Sequence, residues 1–348
     1  MADIATLLAA YKKDYGVSIG SMGSSLQQIS RVPTGITEFD LASGGGFPRG
    51  RYAVIYGPES SGKSTLLAKA IAQHQVLWPD KMNVIIDIED TTDRAWLEAL
   101  GVDPDRVVVI KPDYAEQAVD IVQGFLDAED CGIVGMDSLA AMMTQNESES
   151  SAEKANVGGA ALVVGKLTRR VVHAQQKASK EGRYPTFIAI NQTRFKIGQM
   201  MGNPEDMPGG NAPKFASSMT VRCYGKNIND TKVSKTVPVL KEVHFGLKKW
   251  KCPILSQTGM FKLITYPHKG LAAGQVDDWK TLDHYLRLEG RLQKAEKSGG
   301  GWVLDGALYP TLGAIQERLV GDPEWGAGVR KGLIDGLLAK GSLPESPE

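Results

Sequence analysis

The sequence predicts an α/β protein: a mostly parallel sheet flanked by helices, with a short N-terminal helix before it and a small C-terminal α/β domain after it. Three observations carry this expectation. Between about residues 50 and 190, short apolar runs alternate with helical stretches, the pattern of strands buried on both faces by crossover helices. A glycine-rich segment, Gly57 to Ser64, joins the first apolar run to the first helical stretch. Beyond about residue 219, three strand-like runs follow one another with no helix between them, so that edge of the sheet is expected to be antiparallel.

Taken in order, residues 3–13 place Ile4, Leu7, Leu8 and Tyr11 at helical spacing. This short helix packs either on its own chain or on a neighbouring subunit. Gly16 to Gly35 reads as a linker. Tyr52–Tyr56 is a buried strand followed by a helix to about His74, Asn83–Ile88 a second buried strand, and Arg106–Ile110 a third. Residues 114–129 are helical, Cys131–Met136 is a strand ending in an aspartate, 158–180 is a long helix, and Thr186–Ile190 is a strand ending in Asn191. The later strands fall near 219–224, 237–246 and 259–265. The texture changes after Pro267. The expected divisions are an N-terminal helix and subunit-contact linker (1–30), an α/β core (31–267), a small C-terminal domain (268–340) and a disordered tail (341–348).

With 348 residues, 42% hydrophobic and 23% charged, the chain can bury a core, which excludes wholesale disorder. Lys plus Arg number 40, as do Asp plus Glu; that balance excludes a globally basic binder but leaves room for a local basic stripe. Cys131, Cys223 and Cys252 are far apart and form no CxxC pair, against a zinc ribbon or a disulfide framework. No apolar run reaches membrane-spanning length and no signal peptide opens the chain; a soluble intracellular protein with no membrane partner is expected.

Gly57, Pro58, Glu59, Ser60, Ser61, Gly62, Lys63 and Ser64, followed by Thr65, fit GxxxxGK[ST], with the required strand before and helix after. Small residues let successive backbone N–H groups curl around an anion, and the following helix turns its positive end toward it. Lys63 can reach β- and γ-phosphates, and the Ser64 hydroxyl can ligate Mg²⁺. Asp137 ends a buried strand, where it can hold the metal or its water shell. Glu89 and Asp87 end the strand after the phosphate-loop helix, with Asp90 close by; a carboxylate there can orient an attacking water.

Four blocks, GPESSGKST, IDIED, GIVGMDSLAAM and FIAINQTRFKIGQMMGNPEDMPGGNAPKF, together with the upstream VPTGITEFDLASGGGFPRGRYAVIY, resemble the RecA family of strand-exchange recombinases over about residues 17–265. The resemblance implies a RecA-like P-loop NTPase core. It implies that Glu89, rather than Asp87 or Asp90, activates water, that Asp93 and Trp96 hold the adenine (Trp96 replacing the usual tyrosine), and that Gln192 senses the γ-phosphate and relays it to a DNA-binding loop. That loop corresponds to Thr193 through about Lys214. Within it Arg194 and Lys196 are cations for the DNA backbone, Gly198, Gly209, Gly210 and Asn211 form a backbone that approaches phosphates, and Ile197 matches a wedge between base steps. Met201 stands where an aromatic residue is frequent. A first DNA loop is implied near 147–159, with Val157 and Gly158 in its contact turn and Arg169 matching a phosphate-contacting arginine, while Leu162 replaces a usual arginine. Neighbour-supplied lysines correspond to Lys249 and, by a shift from Leu247, Lys248. Lys214 and Phe215 match residues that couple one subunit's DNA loop to the next subunit's nucleotide, and residues 17–23 resemble a swapped edge strand.

The function implied is a DNA-dependent, Mg²⁺-dependent ATPase and homologous recombination protein. It would use ATP and Mg²⁺ as cofactors and form a helical homo-oligomeric filament on single-stranded DNA, pairing it with homologous double-stranded DNA. Mediator, loader and single-strand-binding proteins are further implied partners, and the cytoplasm of a bacterial or phage-infected cell the location. Two other readings of the same residues are a hexameric ring helicase and a nucleotide-gated single-strand coat protein with little hydrolysis.

Overall fold

The computed structural model describes residues 3–15, 29–149, 159–195, 205–230, 233, 236–268, 270–295 and 300–340, with the side chains of 194, 195, 205 and 206 left out. Helix α1 (Ile4–Tyr15) opens the chain and α2 spans Thr37–Ser43. Then follow β1 (Tyr52–Gly57), α3 (Lys63–Leu77), β2 (Met82–Asp87), α4 (Arg94–Ala99), β3 (Val107–Ile110), α5 (Ala115–Asp127), β4 (Cys131–Asp137), α6 (Gly159–Lys180) and β5 (Thr186–Gln192). Helix α7 (Ala212–Ala216) leads into β6 (Met219–Ile228), β7 (Leu240–Trp250) and β8 (Thr258–Ile264). The C-terminal lobe contains α8 (Trp279–Leu288), β9 (Leu292–Lys294), β10 (Trp302–Leu304), β11 (Ala307–Tyr309), α9 (Leu312–Gly321) and α10 (Pro323–Lys340).

The eight-stranded sheet has the order β8-β7-β6-β1-β5-β4-β2-β3. Strands β6 through β3 in that order are mutually parallel; β7 and β8 are added antiparallel. The expected parallel sheet with an antiparallel edge is therefore present. The physical reason is connection length: β6, β7 and β8 follow one another without a crossover helix, and only antiparallel neighbours can be joined that way. One apolar layer, including Leu66, Ala70, Ile71, Ile85, Ile188 and Val221, lies between the sheet and α3; a second, including Val119, Val122, Val134, Leu167 and Val171, lies between the sheet and α5 and α6.

Two expectations change. Val107–Ile110 is an edge strand, and Val108 and Val109 remain 39% and 38% exposed, against the buried strand that its apolar run predicts, because sequence alone does not give a strand's place in the sheet. Helix α2 lies between the linker that ends at Gly35 and the strand that starts at Tyr52, a stretch to which the sequence reading assigns no element. It is seven residues long, six of them buried, and it stops at Gly44, whose φ of 70° closes the helix in the left-handed region. A helix buried all round carries no amphipathic signature.

None of the residues of α1 is buried, and Ile4, Leu7, Leu8 and Tyr11 are all exposed. The lobe after Asp278 has its own cluster of Leu282, Tyr285, Leu286, Ile315, Leu333 and Leu337, into which Leu41 of α2 inserts. A polar junction sits beside it. Thr37 donates through N and Oγ1 to Asp278 Oδ2, at 3.0 and 2.5 Å, and Arg330 Nε donates to Thr37 Oγ1 at 3.3 Å. The swapped-strand segment 17–23 and the tail lie outside the described residues.

Candidate active site

The segment from Gly57 to Ser64 links β1 to α3, and three glycines let it lie against β6 and β7, the wing of the sheet beside β1. A Cβ on Gly57 would stand 2.0 Å from the Cys223 carbonyl oxygen, one on Gly62 2.8 Å from a Val243 methyl, and one on Gly225 3.0 Å from the Ser60 carbonyl oxygen. Cys223 and Gly225 belong to β6 and Val243 to β7. Gly62 at φ 92° and Ser60 at φ 56° turn the backbone back on itself, which is how successive N–H groups come to face one point. Lys63 and Thr65 are buried, and Lys63 Nζ donates to the Pro58 carbonyl at 2.5 Å. Burial lowers the Lys63 pKa, opposed by the carboxylates of Asp137 and Glu89. The Ser61 hydroxyl is buried within the loop with no hydrogen-bond partner among the described residues, a group that an anionic ligand would satisfy.

The strand ends deliver the remaining groups. In a parallel sheet the carboxyl ends of neighbouring strands open on one edge, and here Asp87 is in register with Asp137 and Gly57 with Gln192. Ser64 Oγ donates to Asp137 Oδ2 at 2.6 Å. Burial raises the Asp137 pKa; the Ser64 bond and Lys63 pull it down. Among the described residues no group of three or more His, Cys, Asp and Glu is assembled for a metal. One hydroxyl and one carboxylate suit a cation that takes its other ligands from phosphate oxygens and water, the habit of Mg²⁺.

Glu89 is half-buried, and its Oε1 accepts from Gln192 Nε2 at 3.0 Å and from the Ser138 hydroxyl. The competing carboxylates are committed elsewhere. Asp87 is buried and accepts from the backbone N–H groups of Thr91 and Thr92, at 3.3 and 2.9 Å. Asp90 pairs with Lys111. Asp93 and Trp96 are joined by one cap: the Asp93 carboxylate accepts from the Trp96 N–H at 2.7 Å and starts α4. Trp96 packs partly against the core.

Beyond Gln192 the chain leaves and returns through a closed neck. Asn191 Nδ2 donates to the Pro208 carbonyl at 2.9 Å, and Arg194 and Phe195 pair antiparallel with Asp206 and Glu205. Gly209 and Gly210 follow at φ 90° and 76°, then exposed Asn211 and α7. Lys196, Ile197, Gly198, Val157 and Gly158 lie outside the described residues, as does the side chain of Arg194. Arg169 is exposed on α6 and Phe215 is 74% exposed on α7. Lys249 Nζ donates to the carbonyls of Lys214 and Phe215, at 2.6 and 2.7 Å, holding the C-terminal end of α7 within its own chain. Lys248 points to the other face of β7, where it lines an open cleft of about 620 Å³ with Arg222, Tyr224 and His244. Leu247 is buried.

Ser138, Asn191 as a neck tie and Lys241, whose Nζ donates to the Ser60 carbonyl at 3.0 Å, were not singled out from the sequence. Ser138 follows the strand-end aspartate and could have been flagged by that position alone. Lys241 lies 181 residues from its partner, and nothing local marks it.

Fold and loop together define a phosphate-loop protein of the nucleoside-triphosphate-binding class. The family model described as the RecA N-terminal domain matches residues 2–259. The chain belongs to the RecA family. It is 39% identical over 206 residues to Protein RecA of Porphyromonas gingivalis, covering 59% of this chain and 58% of that one. It is 37% identical over 206 residues to Protein RecA of Aquifex aeolicus (59% and 57%) and 36% identical over 260 residues to that of Desulforapulum autotrophicum (70% and 73%). The chain thus spans under two thirds of the length of the first two relatives.

Proposed function

We propose that the protein is a DNA-dependent ATPase of homologous recombination that assembles as a helical filament on single-stranded DNA and exchanges strands with a homologous duplex. The observation that carries this reading is the hydrogen bond from Gln192 to Glu89. It joins the carboxylate best placed to orient water to the first residue of the neck from which the DNA segment departs. When ATP is bound, the Gln192 amide has a second acceptor, a γ-phosphate oxygen. Moving to it frees one lone pair of Glu89 for the attacking water and shifts the neck held by Asn191 and the Arg194–Asp206 pair. Hydrolysis removes that acceptor, and the segment relaxes its grip. Lys63 and the loop N–H groups bind the polyphosphate, while Asp93 and Trp96 flank the base. Mg²⁺ held by Ser64 and Asp137 would neutralise charge developing on the phosphates.

DNA contact falls to Arg194, Lys196, Arg169 and the glycines of both loops as backbone contacts, with Ile197 as an apolar wedge. Sequence is then read by base pairing. The exposed apolar stripe of α1 suits docking on a neighbouring copy, and Lys248 or Lys249 would reach the neighbour's nucleotide. No described helix is long and apolar enough to cross a membrane; a cytoplasmic location and loader and single-strand-binding partners complete the reading.

The test is phosphate release with and without single-stranded DNA. Strong stimulation by DNA, absent in Lys63→Ala, is expected. Negligible hydrolysis in the presence of tight nucleotide-dependent DNA binding would identify a coat protein instead.

A further inference from the structure

The inference concerns the same phosphate loop and rests on its reading as the ATP site. Lys241 is the second residue of β7, far in sequence from the loop motif. Its Nζ donates to the Ser60 carbonyl at 3.0 Å, and its stem lies over Gly225 of the neighbouring strand, with Cδ 3.4 Å from where a Cβ at 225 would stand. The Ser60 carbonyl and the Ser61 Cα lie 3.0 and 3.3 Å from the same point. The bare backbone at Gly225 therefore makes the space in which the lysine and the loop meet. Ser60 itself is held at φ 56°, a conformation a non-glycine residue adopts only when its surroundings impose it.

Peptide geometry gives this contact a consequence. In a trans peptide the C=O and the following N–H point in opposite directions. Fixing the Ser60 oxygen against the wing thus fixes the Ser61 N–H toward the opposite, concave side of the loop. The ammonium is half-buried, and burial lowers its pKa with no carboxylate among the described residues offsetting it. A bound polyphosphate would supply the missing negative charge across the thickness of one peptide layer.

We propose that Lys241 is a positioning residue for the phosphate loop: it pins the Ser60–Ser61 peptide plane from behind, so that the loop is set for polyphosphate before the nucleotide arrives. It acts through the backbone, whereas Lys63 is placed to touch the phosphates directly.

The experiment compares Lys241→Met, which keeps the stem and removes the donor, with Lys241→Arg, which keeps both. Affinity for a fluorescent non-hydrolysable ATP analogue is measured without DNA, KM and kcat with DNA, and Tm without nucleotide. The expected result is a rise in Kd and KM of about tenfold in Lys241→Met, the size of a hydrogen bond from a charged donor. Its kcat should stay within about twofold and its nucleotide-free Tm near that of the parent, while Lys241→Arg recovers most of the affinity. Unchanged Kd in Lys241→Met overturns the proposal. So does a loss that the arginine leaves unrepaired or that comes with a matching fall in nucleotide-free Tm, since either assigns Lys241 to general support of the wing. Lys63→Ala separates the two levels: lost binding there with none lost in Lys241→Met sinks this inference alone, and unaltered binding in both sinks the ATP-site reading beneath it.

Discussion

Oε1 of Glu89 accepts two hydrogen bonds, from Ser138 and Gln192, and each draws electron density from the oxygen that would orient water. Glu89→Gln should therefore still bind ATP and DNA while kcat falls by about 10²–10⁴; full hydrolysis in that variant would move the water-activating group elsewhere. A different residue predicts acid sensitivity. His74 is buried on α3 against Trp78, and burial, reinforced by the positive charge of Arg49, depresses its pKa to about 3. The unfolded histidine takes a proton near 6.5 and the folded one only near 3, so stability is complete above about pH 6.5 and declines as pH falls through that window. The slope can reach about 1.4 kcal/mol per pH unit from this one group. Denaturant unfolding between pH 4 and 7 should show a steeper loss for the parent than for His74→Gln; parallel curves would clear His74. At this scale the loop residues and Asp137 can be singled out because the chemistry of phosphate binding dictates residue types at fixed spacing, whereas Glu89 is set apart from Asp87 and Asp90 only by the family resemblance. Ser138 and Lys241 were hidden, because their partners come from distant segments that only the sheet brings together.

Elements were legible where they obey a period. Helices α3, α5 and α6 and strands β1, β2, β4 and β5 fall within a few residues of their expected places, since crossover topology forces apolar runs to alternate with helices. Helix α2 buries Thr37, Asp40 and Ser43 along with its apolar residues, so its polarity does not mark an outer face, and the exposure of β3 depends on what lies beside it. Helix α1 has the reverse problem: its stripe was plain, but its partner is not on its own described surface. Leu8→Glu should therefore leave the nucleotide-free unfolding free energy unchanged, within about 0.5 kcal/mol as for a surface change, while shortening assemblies seen by light scattering. A large fall in Tm would place α1 in the folded core of its own chain. Gly62→Ala tests the loop as an element. The left-handed φ and the Val243 contact at 2.8 Å should together cost about 1–3 kcal/mol and weaken nucleotide binding; a neutral outcome by denaturation and nucleotide titration would mean that the loop yields.

On the scale of the whole molecule, the wing of β6 and β7 touches both ends of the proposed coupling. Through Cys223, Gly225, Lys241 and Val243 it supports the phosphate loop, and through Lys249 it holds the helix that follows the segment proposed to bind DNA. The C-terminal lobe is anchored separately, by Leu41 in its core and Thr37 on Asp278. Leu41→Ala should destabilise by about 2–5 kcal/mol, read as an earlier unfolding of the lobe in denaturant with ATP binding retained; simultaneous loss of ATP binding would make the lobe part of the site. The central claim, that nucleotide seated in the loop makes the chain assemble on a single strand, is tested most directly by electron microscopy of the protein with single-stranded DNA, a non-hydrolysable ATP analogue and Mg²⁺. Open helical filaments that require the analogue are predicted; closed rings, or DNA left bare, would contradict it.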